Sequence, residues 1–340
     1  MTPAIDQVPK NDANRLGLDY RREAARLPFV GPIWDVHQHI QDVAAAKLFF
    51  EVADLFGVEK VWTMTKLEHV DELQAHYGDR LRFIAVPNFH ANRDDPEAFT
   101  ADWLRRLEGF REKGCRIAKI WAAPRGRDFA PGVFELDSPL RRRGIQRAYE
   151  LGMMFMTHVS DPDTWFATKY ADSAKYGTKA SQYEPLHRLL DQYGDVPWIA
   201  AHMGGDPEHL DHLQALLDRH ANLYLDTSAT KWMVRELSKK PDELRDFARR
   251  NAGRLLFGSD IVADSKDASF DLFASRYWAL RTMFETNYAS LSPIVDPDLS
   301  MVDPNLPKDS VARLCGAAID PATLRTMYKM AAERVLGKWM

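Results

Sequence analysis

The chain has 340 residues, 45% of them apolar and 28% charged, which is the composition of a globular protein with a sizeable core. A net charge of −4 offers no basic surface for nucleic acid or for an anionic membrane. Its two cysteines, Cys115 and Cys315, are too few for a disulfide framework or a cysteine-rich metal site, and are expected as reduced thiols. The first residues, MTPAIDQVPKND, lack the basic start and apolar stretch of a signal peptide. No run approaches the roughly 20 apolar residues of a membrane span. A cytoplasmic protein is expected.

Residues 1–30 read as an N-terminal extension with a short helix near 18–27. From residue 33 onward, short apolar runs alternate with longer amphipathic stretches. The runs are IWDVHQHI (33–40), VEKVWTMT (58–65), LRFIAVPN (81–88), CRIAKIWA (115–122), MMFMTHVS (153–160), VPWIAAHM (196–203), LYLDTSAT (223–230) and LLFGSDIV (255–262). Each is rich in β-branched or aromatic residues and has the length of a buried parallel strand. Between them, KLFFEVADLF (47–56) and EHLDHLQALL (208–217) carry apolar residues at helical spacing. Asp206-Pro207, Pro241-Asp242 and Asp320-Pro321 are read as helix starts, a carboxylate beside a proline of the first turn. Eight βα units predict one closed (β/α)8 barrel over 31–340, an α/β fold. No G-x-G-x-x-G turn follows the first strand, against a dinucleotide-binding open sheet. The proline-rich stretch of 290–320 is expected as a long excursion of little periodicity, and a terminal helix near 321–336 to pack back on the barrel.

In such a barrel the C-terminal ends of the strands share one pocket. The first run holds His37 and His39, alternate residues that face the same side and present two imidazoles to one point. By itself H-x-H is weak, since roughly a third of chains this rich in histidine contain one by chance. Three further runs end in His158, in His202 and in Asp260, each a candidate ligand closing an apolar strand, where an unpartnered imidazole or carboxylate would be costly. Four strand ends suited to one chemistry point to a metal centre.

The pattern DVHQHI, MTHVSDP, AHMGG and FGSD over residues 31–262 resembles the amidohydrolase superfamily, in particular its amidohydrolase-related branch. That branch includes hydrolases and decarboxylases similar to aminocarboxymuconate-semialdehyde decarboxylase. The resemblance implies that His37, His39, His158 and Asp260 bind one divalent metal, with zinc the expected ion, and that His202 is catalytic or joins a second metal. Asp260 would then accept a proton from water, and a protonated His202 would stabilise a developing oxyanion. Lys119 closes the fourth run where binuclear members carry a carboxylated lysine. A bridge between two metals, a contact to a substrate carboxylate and a structural ion pair all stay open for it.

Arg125 and Arg127, in AAPRGRDF, suit an anionic substrate, with a solvated loop face the leading expectation, and Trp121 and Trp165 are candidates equally for pocket wall or core. His90 is expected near the mouth or at the surface. His209 and His212 are expected on the exposed face of an outer helix. The leading expectation is a mononuclear metal-dependent hydrolase of a small lactone, amide or ester bearing a carboxylate, with substrate contacts from Lys119, Arg125 and Trp121. The alternative is a carboxy-lyase on the same site, and a non-catalytic binding barrel is a third reading. Relatives are often homodimers, and neither nucleic acid nor membrane is expected as a partner.

Overall fold

The computed structural model describes residues 10–91, 94–129 and 132–339. Nine strands form one sheet: β1 Ile33–Ile40, β2 Val58–Met64, β3 Leu81–Ala85, β4 Ile117–Trp121, β5 Met154–His158, β6 Trp198–Ala200, β7 Leu223–Asp226, β8 Leu255–Leu256 and β9 Ile261–Ala263. Every pairing is parallel, in the order β8-β7-β6-β5-β4-β3-β2-β1-β9. All eight expected runs form strands, the eighth in two pieces. Its first half pairs with β7 and its second with β1. Across the interruption Val36 N–H donates to Phe257 O and Asp260 N–H to His37 O, both at 2.9 Å. One segment therefore serves both neighbours, and the sheet closes on itself.

The expected strands overrun the observed ones at their C-terminal ends, and backbone conformation is the reason. His202 (φ 59°), Met203 (φ 52°), Ala229 (φ 63°) and Asp260 (φ 58°) lie in the left-handed region, which leaves strand geometry at once. Among the described residues only Ala318 joins them as a non-glycine with positive φ. Such conformations cost of order 1–3 kcal/mol each and cluster where function needs them.

Period-2 alternation builds the barrel interior in layers. Ile117, Met154, Met156 and Ile199 pack with Trp34, Val36 and Leu256 in one apolar cluster. The next inward positions toward the C-terminal ends are Lys119, Trp121 and His158. In β1 the register slips between Asp35 and Gln38, so the alternation changes phase. Val36 stays in the apolar cluster while His37 and His39 line a cavity above it. The terminal helix covers the opposite end: Ala331, Ala332, Val335 and Leu336 join the same cluster, and Lys329 sits 5.4 Å from the Trp34 ring.

Most local signals act as expected. Asp19 caps the helix Tyr20–Arg26, and Asp320 caps Pro321–Arg325 by accepting from Ala322 and Thr323 N–H. The helix Pro241–Asn251 opens on its proline. Asp206-Pro207 is different: the helix begins at Leu210, and Asp206 pairs instead with Lys179 at 2.7 Å and His212 at 2.6 Å. The stretch expected as an irregular excursion contains an antiparallel pair, β10 Ala289–Val295 and β11 Val311–Cys315. Pro293 hides this strand in the sequence, yet a two-stranded ribbon tolerates it because one edge needs no ladder donor. That edge is taken by the N-terminal segment, where Arg15 N–H donates to Pro293 O and Val295 N–H to Asp12 O, both at 2.8 Å. Among the described residues, no helix is long and apolar enough to cross a membrane.

Candidate active site

Three expected ligands converge at the C-terminal mouth. His39 Nε2 lies 3.2 Å and His37 Nε2 3.5 Å from Asp260 Oδ1, and the three donor atoms all fall within 4.8 Å of one another. The left-handed turn at Asp260 aims its carboxylate back over β1. Gly258 lets that turn approach, since a Cβ there would meet His37 Cβ at 3.0 Å and Ser228 Cβ at 3.3 Å. Burial alone would raise the Asp260 carboxyl, but His39, His37 and His202 around it hold it well below the usual range.

The imidazole of His37 is oriented from behind. Its Nδ1 lies 2.8 Å from Asp226 Oδ2, at the end of β7. Asp226 is fully buried, and its other oxygen accepts from His202 N–H at 2.8 Å, Ser228 N–H at 3.1 Å and the Ser228 hydroxyl. Burial opposes ionisation of Asp226, but His37 and these donors hold it ionised, well below the carboxylate range. His37 therefore carries its proton on Nδ1 and turns Nε2 to the cavity, the tautomer a metal ligand requires. Burial, with Lys119 nearby, lowers the His37 pKa and keeps the ring neutral.

His202 shares the same support. Its Nδ1 lies 2.7 Å from Ser228 Oγ and 4.0 Å from Asp260 Oδ2. With the Ser228 hydroxyl donating to Asp226, His202 donates from Nδ1, so Nε2 is the atom left to take a proton. Burial, reinforced by His158 at 4.6 Å between ring centres, pushes the His202 pKa far down. A lowered pKa opposes the protonated form and suits a base better than a cationic oxyanion donor.

His158, the fourth expected ligand, stands apart from these three donor atoms. It lines the same cavity, but its Nε2 bonds Asp161 Oδ1 at 2.8 Å, and Asp161 in turn accepts from Tyr170 OH at 2.6 Å. That bond leaves Nδ1 as its other ring nitrogen, and the ring lines the cavity with its centre 4.6 Å from that of His202. Lys119 stands across from His37, with Nζ 3.3 Å from His37 Nε2, and burial lowers its pKa to about 8.

These groups line a cavity of 410 Å³ together with Trp121, Lys231, Trp232 and Arg276. Trp121 thus walls the cavity as expected. Arg125 does not reach it and lines a second, adjoining cavity with His90. Arg127 turns away to Glu135 and Tyr176 O. Trp165 lies behind the wall, its ring 5.9 Å from Trp232, and both indoles donate to Asp298. His209 is exposed and His212 partly so at the start of the outer helix, as expected, and Asp163 and Asp206 pair with them.

Asp226, Ser228, Asp161, Lys231, Trp232 and Arg276 were not singled out from the sequence. Asp226 was within reach, because it ends an apolar run just as Asp260 does. Lys231, Trp232 and Arg276 sit on helices, where only tertiary structure tells which face looks inward.

A family model described as Amidohydrolase matches residues 41–338, a span that begins just after His37 and His39. None of the curated proteins matches the chain. Among solved structures, the fold is similar to 2,6-dihydroxybenzoate decarboxylase from Rhizobium, at TM-score 0.53 and 13% identity over 91% of this chain and 99% of that one. It is also similar to 5-carboxyvanillate decarboxylase from Novosphingobium aromaticivorans, complexed with manganese, at TM-score 0.51 and 12% identity over 90% and 96% of the chains. A third is an amidohydrolase from Burkholderia multivorans with bound zinc, at TM-score 0.50 and 12% identity over 90% and 99%.

Proposed function

Since the chain belongs to the amidohydrolase family, we propose that its cavity carries out metal-dependent decarboxylation of a small aromatic or conjugated carboxylate. The observation that carries this reading is one cavity in which His37, His39 and Asp260 face the cationic side chains of Lys119, Lys231 and Arg276. The donor set fits a divalent ion. Two imidazoles and an ionised carboxylate converge, and Asp226 already fixes the tautomer of one of them. Oxygen and imidazole donors accommodate zinc or manganese alike.

When bound, the ion supplies a Lewis acid that draws electron density from substrate oxygens. The protein side chains do the rest. Lys119 and Arg276 attract the anionic substrate, and Trp121 and Trp232 wall its ring. Neutral His202 takes a proton at Nε2 and returns it to the carbon that loses CO₂, so that RCO₂⁻ and H⁺ become RH and CO₂. Hydrolysis of a lactone, amide or ester, first among the sequence expectations, uses the same groups. The decarboxylase names of two proteins sharing this fold support the carboxy-lyase alternative better.

The test is turnover of 2,6-dihydroxybenzoate, the substrate named for one such structure, and related aryl carboxylates by metal-loaded protein, with CO₂ trapped and a chelator control. Metal-dependent CO₂ release is the expected result. Acid release from lactones or esters without CO₂ would replace this reading with hydrolysis. Metal binding without either reaction would leave only a binding barrel.

A further inference from the structure

Beside the inner cavity lies a larger one of 910 Å³, and the two share His39, Lys119 and Trp121 as a common wall. Either volume alone falls in the range that holds a small-molecule ligand, about 300–1,000 Å³. The inner cavity can therefore seat a single-ring carboxylate unaided, and the outer compartment is room the proposed reaction does not use.

Its lining has a definite chemistry. One side is an aromatic wall in which Phe89, Trp121 and Phe134 meet at 5.6–6.2 Å between ring centres, mostly edge to face. Phe129 and Val262 extend it, and both are among the few large apolar residues left exposed, at 39% and 54%. Basic groups stand around this wall. Glu68 is already paired with Arg106, and Asp264 is the other acid in the lining. Lys66, Arg125 and Lys266 face the same space with no ion pair among the described residues. An apolar, aromatic surface rimmed by uncompensated cations suits a planar group that carries negative charge at its far end.

We propose that the outer compartment is a second substrate subsite, and that the substrate is an extended aromatic or conjugated dianion. One carboxylate lies in the inner cavity, as the proposed function requires, and the distal anionic group lies among Lys66, Arg125 and Lys266. The shared residues His39, Lys119 and Trp121 set the two cavities side by side, within reach of one rigid molecule. The planar middle stacks along Trp121 and Phe89, and the distal charge sits at the rim, where it is partly solvated.

Binding to the metal-loaded protein, measured by calorimetry, tests this with three probes: benzoate, a biphenyl monocarboxylate and a biphenyl dicarboxylate. The dicarboxylate is expected to bind about tenfold more tightly than the monocarboxylate, the order expected of three exposed, solvent-screened charge contacts. Added salt should shrink that gap. Lys66, Arg125 and Lys266 are exposed, so the variant Lys66→Ala/Arg125→Ala/Lys266→Ala keeps its fold and should abolish the gap. A dicarboxylate that binds no better than the monocarboxylate, or a gap that survives in the variant, overturns the subsite. Failure of the inner reading shows separately, as benzoate affinity indifferent to chelation, and the biphenyl comparison still decides the outer compartment.

Discussion

Asparagine in place of Asp226 keeps the side-chain shape and removes the charge behind His37. The carboxylate accepts four hydrogen bonds, from His37 Nδ1 on one oxygen and from two backbone N–H groups and a hydroxyl on the other. An amide has only one oxygen. If that oxygen stays with the His202 and Ser228 donors, the amide NH₂ meets His37 Nδ1, which must give up its proton to accept. The His37 proton then moves to Nε2, the atom directed at Asp260 and His39, and closes it to a metal. Loss of such a supporting partner lowers metal affinity roughly 10–100-fold, or about 1.4–2.8 kcal/mol. Titration of metal-free protein with zinc against a chromophoric chelator measures it, with circular dichroism confirming the fold. An Asp226→Asn protein that stays folded and binds zinc within about twofold of the parent would refute the orienting role.

Gly258→Ala should press His37 and Ser228 apart, costing about 1–3 kcal/mol of stability and weakening zinc binding with it; thermal melts and the same titration check both. Chelation should lower the melting temperature, because metal held at a hundred times its Kd contributes about 2.7 kcal/mol. Burial pushes the Cys115 thiol up to about 12, while Cys315 is partly exposed, so a thiol reagent should react quickly with one thiol in the native protein and with the other only after unfolding. Burial tends to lower the His209 pKa, but Asp163 at 2.8 Å and Asp206 outweigh it and raise it. The contribution of this pair is therefore complete below the unfolded value of about 6.5 and fades as pH rises through the higher folded one. His209→Gln should cost a few tenths of a kcal/mol near pH 5.5 and nothing near pH 9, as read from denaturant melts at the two pH values.

The neutral state of His202 shows where local reading stops. Its sequence neighbours, AHMGG, say nothing of charge. Burial in the closed apolar barrel and His158, at the end of β5, lower its pKa far below the usual imidazole value. His158 shows the same in reverse. It ends its strand as a ligand should, yet which of its ring nitrogens is taken is decided by Asp161, three residues on, at 2.8 Å from Nε2.

What the sequence determines by itself is periodic and local. Apolar runs of strand length with helices between them specify a parallel sheet and its order, because burial on both faces needs continuous apolar residues. Asp19, Asp320 and Pro241 mark helix starts because caps act within a turn. Polar residues at the ends of those runs locate the mouth of the barrel, since only there can they find partners. Tertiary structure decided the rest. The split of the eighth run, the phase change in β1 and the left-handed residues at β6, β7 and the Asp260 turn arise from closing the barrel. Tautomer and charge depend on groups more than a hundred residues away, as Asp226 is from His37. The two adjoining cavities exist only once loops from separate βα units meet, because a surface that several segments build has no counterpart in any one of them.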